Sequence, residues 1–312
     1  MSIRIGTRGS LLALTQSKLV LSHLNQIRPE LACELVEIKT LGDRKQGTAN
    51  ARQSDKKDWV YDLEIALLHN EIDFAIHSGK DCPSEVEPGT ALRSVLERAD
   101  PRDAFIGRKD PERGTRLSFA ELSEQSVIGT ASLRRRAQIL KRHPNARVLE
   151  HRGNVPTRIQ KLDESKELDG IILACAGLNR LAPHGLTFEP IETTNMLPAL
   201  NQGTLVVQFR EGDTQIESIL EPLSHSDTQA SWLAERAVAK ALEGDCRSAI
   251  GIFATVRENL ISLSAEVLLP DGSQFLEYSL EGDVLDAENI GSVVGEELLK
   301  RGAKALLDAS HR

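Results

Sequence analysis

Ser126-Val-Ile-Gly-Thr-Ala-Ser-Leu-Arg-Arg-Arg-Ala-Gln-Ile-Leu-Lys-Arg142 holds a short apolar run that stops at Gly129. A polar turn follows, with Ser132 in the N-cap position of a helix predicted over Leu133–Arg142. Strand, Gly/Ser turn, helix is the repeating unit of an α/β fold, and it recurs outward from this stretch. Strand-like runs at Ile3–Thr7, Glu34–Lys39, Phe74–His77, Arg147–Leu149 and Gly170–Ala174 alternate with helical runs at Leu11–Gln26, Trp59–Asn70 and Val155–Leu162. The alternation predicts largely parallel sheets. Ligands of such sheets bind beyond the carboxyl ends of the strands. The polar segments Thr7-Arg8-Gly9-Ser10, His77-Ser78-Gly79-Lys80-Asp81 and Thr130-Ala131-Ser132 fall at those ends.

Turn-rich breaks at Ala99–Asp103, Leu197–Gly203 and Glu221–His225 divide the chain. A β-like run, Thr204–Phe209, follows the second. After the third come a helix over Gln229–Leu242, strands over Ile250–Val256, Leu260–Leu268 and Ser273–Leu280, and a final helix over Ala287–Asp308, which reads as an antiparallel α+β module. Asn50–Lys57 is polar and aperiodic, so an exposed, mobile loop is expected.

The 312 residues carry 38 Lys and Arg against 46 Asp and Glu, with only 4% aromatics. Such a chain lacks the basic surface and stacking platforms that nucleic-acid binders use. Cys33, Cys82, Cys175 and Cys246 lie far apart with no C-x-x-C pair, so neither a zinc site nor a disulfide framework is expected. The N-terminus enters a strand without an apolar signal core, and no later run reaches membrane-spanning length. The expected setting is the cytoplasm, with reduced thiols and no membrane partner.

Against this acidity, Arg134–Lys161 contains nine Lys or Arg and one acid, Glu150, a local charge of +8 in a chain of −8. A solvated helix face is the ordinary fate of a charge run. Here Gly129–Arg136 and Arg152-Gly-Asn-Val-Pro-Thr-Arg158 both read as turns into helices, whose N-terminal N–H groups join arginine in binding anions. Consecutive helical residues point about 100° apart, so at most two of Arg134, Arg135 and Arg136 face one site.

Two other segments each admit two readings. Lys80-Asp81 is either a strand-end turn with a surface ion pair or a partly buried acid/base pair able to stabilise a transient cation. Cys246, in Glu243-Gly-Asp-Cys-Arg247, is either an incidental loop cysteine or an accessible nucleophile or attachment point beside an arginine. His77, on an apolar strand, reads as a core histidine, and Ser10 as the N-cap of the first helix.

Taken together, the chain resembles the porphobilinogen deaminase (hydroxymethylbilane synthase) family from about Arg4 to Leu307. The matching stretches are Thr7–Leu14, His77–Asp81, Arg98–Phe105, Gly129–Arg135, Arg152–Arg158, Leu173–Arg180, Leu197–Gly203 and Leu242–Cys246. The resemblance implies two lobes like those of periplasmic binding proteins and a smaller α+β C-terminal domain. The implied boundaries are 1–102 with 203–221, 103–202, and 222–312. It implies a transferase that deaminates four porphobilinogen units and joins them head to tail as hydroxymethylbilane. A dipyrromethane cofactor, held by a thioether to Cys246, primes the chain.

The resemblance makes Asp81 the catalytic aspartate. It assigns Lys80, Ser78, Thr130, Ser132, Arg134, Arg135 and Arg152 to the cofactor, and Arg8, Ser10, Gln16, Arg152, Arg158 and Arg180 to substrate. Arg52, Lys56 and Trp59 belong to a lid. No metal is implied, and a monomer is expected. On this reading Arg134–Lys161 forms one wall of a cleft for the acetate and propionate groups of a growing chain of pyrroles.

Departures from the usual family pattern are Gly79 for Met, Cys82 for Val, and Asn201 and Asp245 for glycines. Ser54-Asp-Lys-Lys-Asp-Trp59 stands in place of a glycine-rich lid. A non-catalytic or altered-specificity two-lobed anion-binding protein is the alternative, because a fold does not decide function.

Overall fold

The computed structural model describes residues 2–45, 57–110, 112, 114–182, 185–242 and 248–310. The first lobe begins with β1 (Ser2–Thr7), α1 (Leu11–Ile27), β2 (Ala32–Glu37), α2 (Leu41–Lys45), α3 (Lys57–Leu68), β3 (Phe74–Ser78) and β4 (Thr90–Val95). Ser10 caps α1 by accepting from the Ala13 N–H. Apolar positions one turn apart, Val20 and Leu24, then lie on Ile3, Ile5 and Phe74. β1 runs parallel to both β2 and β3. β2 lies two residues earlier than its expected range, because it pairs with β1 from Ala32 to Glu37. Most of the loop expected at Asn50–Lys57 lies outside the described residues, and Lys57 already opens α3.

The chain then crosses into a second lobe of β5 (Asp103–Gly107), β6 (Val127–Gly129), α4 (Leu133–Arg142), β7 (Arg147–Leu149), α5 (Val155–Glu164), β8 (Gly170–Ala174), α6 (Cys175–Leu181) and β9 (Glu189–Ile191). It returns as β10 (Leu205–Arg210), which enters the first sheet between β3 and β4, antiparallel to both. β5 does the same in the second sheet, between β8 and β9. The orders β2-β1-β3-β10-β4 and β7-β6-β8-β5-β9 are one pattern used twice, each sheet taking its antiparallel strand from a crossing. The two crossings touch at Gly203. Its φ of +94° and its approach to the Ala99 carbonyl leave no room for a Cβ. β5 has no alternation to read in sequence because all five of its residues are buried.

Beyond α7 (Thr214–Leu220) stands a smaller α+β domain of α8 (Ser226–Ala241), β11 (Ala249–Arg257), β12 (Leu260–Leu268), β13 (Phe275–Asp283), α9 (Ala287–Lys300) and α10 (Ala303–Ser310). Its antiparallel sheet buries Ile252, Leu263 and Val267 against Val238, Val294 and Leu298. The single C-terminal helix expected over 287–308 is two, because Gly302 adopts a φ of +103°. The architecture has the expected layout of two α/β lobes, whose sheets share one strand order, and a smaller α+β domain. Among the described residues no helix is long and apolar enough to cross a membrane.

Candidate active site

The carboxyl end of β3 turns into one short 3-10 helix, Gly79–Asp81, pinned where the Gly79 N–H donates to the Thr204 carbonyl at 2.9 Å. That turn leaves the Asp81 side chain exposed and Lys80 half-buried. Burial, then the nearby Arg135, pushes the Lys80 ammonium down to about 8, against the opposite pull of Asp81 and Asp103. At the strand end, the Gln16 amide and the Ser78 hydroxyl exchange hydrogen bonds of 2.8 and 3.1 Å. His77 is buried, and burial pushes its pKa down to about 4, so it is a neutral core residue. Arg8 leaves the end of β1, pairs with Asp43 at 2.6 Å and stacks 4.1 Å from the centre of the Trp59 ring. Arg52 and Lys56 lie outside the described residues.

In the second lobe Ser132 caps α4 by accepting from the Arg135 N–H, and the Thr130 hydroxyl accepts from the Ser132 N–H at 3.1 Å. The first turn of α4 drives Arg134 and Arg135 inward onto one buried carboxylate, Asp103, at 2.7 and 2.8 Å. Arg136 points outward and donates to the Val148 carbonyl, so two of the three arginines face the interior. Burial alone would raise the Asp103 pKa, but the two guanidiniums hold it far below the usual carboxylate range. Arg158 donates to the Gly153 carbonyl, and burial, then Arg135 and Arg152, pushes its pKa down to about 10. Arg180, on α6, donates to the Gly203 carbonyl at 2.7 Å, and burial brings it to about 10 as well. Arg152 is exposed and pairs with Glu150.

The Arg134–Lys161 segment does not form a single wall. Lys141 pairs with Glu266 of β12, Arg142 donates to Asn195, and Arg147 pairs with Glu167. A helix has two ends as well as faces: α4 gives its first turn to the inner site and its last turn to the third sheet.

Two residues not picked out from the sequence join the lobes. Gln202 accepts from the Lys80 ammonium at 3.4 Å and donates to Asp103 at 3.0 Å and to the Pro101 carbonyl at 2.7 Å. Asp103 and Gln202 both lie in stretches that carry the family resemblance. Apart from that resemblance no local pattern marked them, because the burial of Asp103 and its meeting with arginines 31 and 32 positions away exist only in the fold. Mutual electrostatic influence links Arg8 and Asp81 to His77, Asp81 and Arg135 to Lys80, and Arg135 and Arg152 to Arg158. Arg8, Lys80, Asp81, Arg134, Arg135, Arg152 and Arg158 therefore share one electrostatic neighbourhood at the strand carboxyl ends. Cys246 lies outside the described residues. Ala249, three positions further on, packs with Leu133 and Ala137 of α4.

Chemically, Arg134, Arg135, Lys80, Arg158 and Arg180 outnumber Asp103, and the buried Nε atoms of Arg134 and Arg180 have no hydrogen-bond partner. That donor set fits a ligand bearing several carboxylates. The exposed Asp81 carboxylate at its edge suits a cation that exists only transiently.

Two family models match the chain. Residues 3–218 match "Porphobilinogen deaminase, dipyromethane cofactor binding domain", and residues 230–300 match "Porphobilinogen deaminase, C-terminal domain". The porphobilinogen deaminase of Carboxydothermus hydrogenoformans is 40% identical over 99% of this chain and 97% of its own length. That of Trichlorobacter lovleyi is 40% identical over 98% and 96%. Among solved structures, the periplasmic VFT2 domain of Bordetella pertussis BvgS is 14% identical, covering 70% of this chain and 85% of that one at a TM-score of 0.42, a likeness from which nothing is drawn.

Proposed function

The chain belongs to the porphobilinogen deaminase family, transferases with a dipyrromethane cofactor-binding domain, and we propose that it is a working hydroxymethylbilane synthase. Four porphobilinogens and one water give hydroxymethylbilane and four molecules of ammonia. The observation that carries this reading is the tie from the Lys80-Asp81 turn, through Gln202, to the Asp103-Arg134-Arg135 cluster. It puts one exposed carboxylate beside an excess of carboxylate-binding cations.

The residues present fit the cofactor. Cys246 would attach it, while Lys80, Ser78, Thr130, Ser132, Arg134, Arg135 and Arg152 would hold its acid groups. When bound, it supplies the free pyrrole carbon from which the product grows. Arg8, Ser10, Gln16, Arg158 and Arg180 would orient the acetate and propionate of each incoming porphobilinogen, fixing its reacting arm. Asp81 accepts the substrate's pyrrole N–H and stabilises the positive charge that develops as ammonia leaves. It is also placed to take the proton released when two rings have joined. The boundaries 1–102 with 203–221, 103–202 and 222–312, a cytoplasmic location and a monomeric state complete the proposal.

Asp81→Asn tests it. The variant keeps its fold and its affinity for the acid groups but loses the charge, so turnover of porphobilinogen falls about a hundredfold or more. Tetrapyrrole formation at the wild-type rate would remove Asp81 from the mechanism.

A further inference from the structure

We propose that Gln202 is a positioning residue, setting Lys80 against Asp103 so that the catalytic turn of the first lobe and the paired arginines of the second stand in register before substrate arrives. The inference rests on the function proposed for the Asp81 turn and adds a residue to it.

Gln202 is 1% exposed and lies on the return crossing between the lobes. Its backbone carbonyl is fixed by the Arg98 Nε at 2.8 Å, so the side chain starts from an anchored point. The orientation of its amide follows from its partners. The Pro101 carbonyl and the Asp103 carboxylate can only accept, so Nε2 must face them and Oε1 must face the Lys80 ammonium. Asp103 is itself saturated: Oδ1 accepts from Arg135 and Gln202, and Oδ2 accepts from Arg134.

One amide therefore carries position from the arginines of α4 to a lysine on a flexible four-carbon stem. Among the described residues Lys80 Nζ makes no other hydrogen bond, so this amide is what directs that ammonium. The charged groups facing Lys80 are Arg135, Asp81, Asp103 and Arg134. They set its charge but not its direction.

The test uses the full chain with two substitutions of similar size. Gln202→Met removes all three polar contacts of the side chain, and Gln202→Glu places a second carboxylate between Lys80 and Asp103. Lys80 is titrated on cofactor-free protein through the pH dependence of its reductive methylation, read by peptide mass. KM and kcat for porphobilinogen are measured in parallel. A merely structural role would lower the melting temperature in both variants and leave the lysine titration alone. Positioning predicts that Lys80 titrates higher in Gln202→Glu and lower in Gln202→Met. It also predicts that kcat/KM falls about tenfold in Gln202→Met, the worth of one charge-assisted hydrogen bond. Unchanged Lys80 titration in both folded variants, or wild-type kcat/KM in Gln202→Met, would overturn the proposal. If the wild-type chain forms no tetrapyrrole, the functional reading fails separately, and the titrations still decide whether Gln202 holds Lys80.

Discussion

His77 and Asp81 stand four residues apart and meet opposite environments: the histidine is buried inside the first sheet, and the aspartate is exposed beyond its edge. Burial lowers the His77 pKa from 6.5 to about 4, so the unfolded chain binds the proton more readily than the folded one. Stability is then unaffected by His77 above pH 6.5 and is lost as the pH falls toward 4, by on the order of 3 kcal/mol. Chemical denaturation of His77→Asn across that window should show a shallower loss than the wild type. Parallel curves would mean that the histidine is not held neutral. At this scale the sequence was partly legible. Residue type and position at strand ends or helix starts pointed to Lys80, Asp81, Arg134, Arg135 and Arg158, and the family resemblance added Arg180. The partners Asp103, Gln202 and Asp43 were not legible, because a contact between residues 31, 35 or 99 positions apart is a fact of distance and leaves no local pattern.

Helix α4 shows what one element does with charge at both ends. Its first turn holds Arg134 and Arg135 on Asp103, and its last turn gives Lys141 to Glu266 on the third sheet. Between them, Gly272 in the β12–β13 turn lies so close to α4 that a Cβ would run into the backbone of Ala137 and Lys141, at a φ of +72°. Gly272→Ala should therefore destabilise the protein by about 1–3 kcal/mol and raise KM for porphobilinogen, because α4 must move to admit the methyl group. A melting temperature and KM equal to wild type would show that α4 is not clamped there. Elements were legible where an apolar run ended in a Gly/Ser turn, as at β6 and α4. They were not where the signal is topological: β5 is uniformly buried, and β9 has three residues. The α9–α10 break turns on the backbone conformation of Gly302, which the helical pattern passes straight through.

The whole molecule converges on another buried carboxylate. Glu235 of α8 pairs with Arg98 of the first crossing at 2.6 Å and accepts from the backbone N–H groups of Asn201, on the second crossing, and Ala254, in β11. Both crossings and the C-terminal domain are thus fastened to one fully buried side chain. Glu235→Ala leaves the Arg98 guanidinium without its partner and should cost about 3–5 kcal/mol, read by chemical denaturation. A loss below about 1 kcal/mol would mean that the junction is held by apolar packing. Sequence breaks at Ala99–Asp103 and Leu197–Gly203 marked where the chain crosses, but not that the crossings touch or what ties them to the third domain. Growth of a pyrrole chain on a covalent primer is the function proposed for this assembled molecule, with its two charged lobes and its cysteine-bearing domain. It is tested most directly by the intact mass of the protein purified from a host that makes porphobilinogen. The wild type should carry the added mass of two porphobilinogens less two molecules of ammonia, and Cys246→Ser should lack it. An unmodified wild-type mass, or the same adduct on Cys246→Ser, would contradict the account.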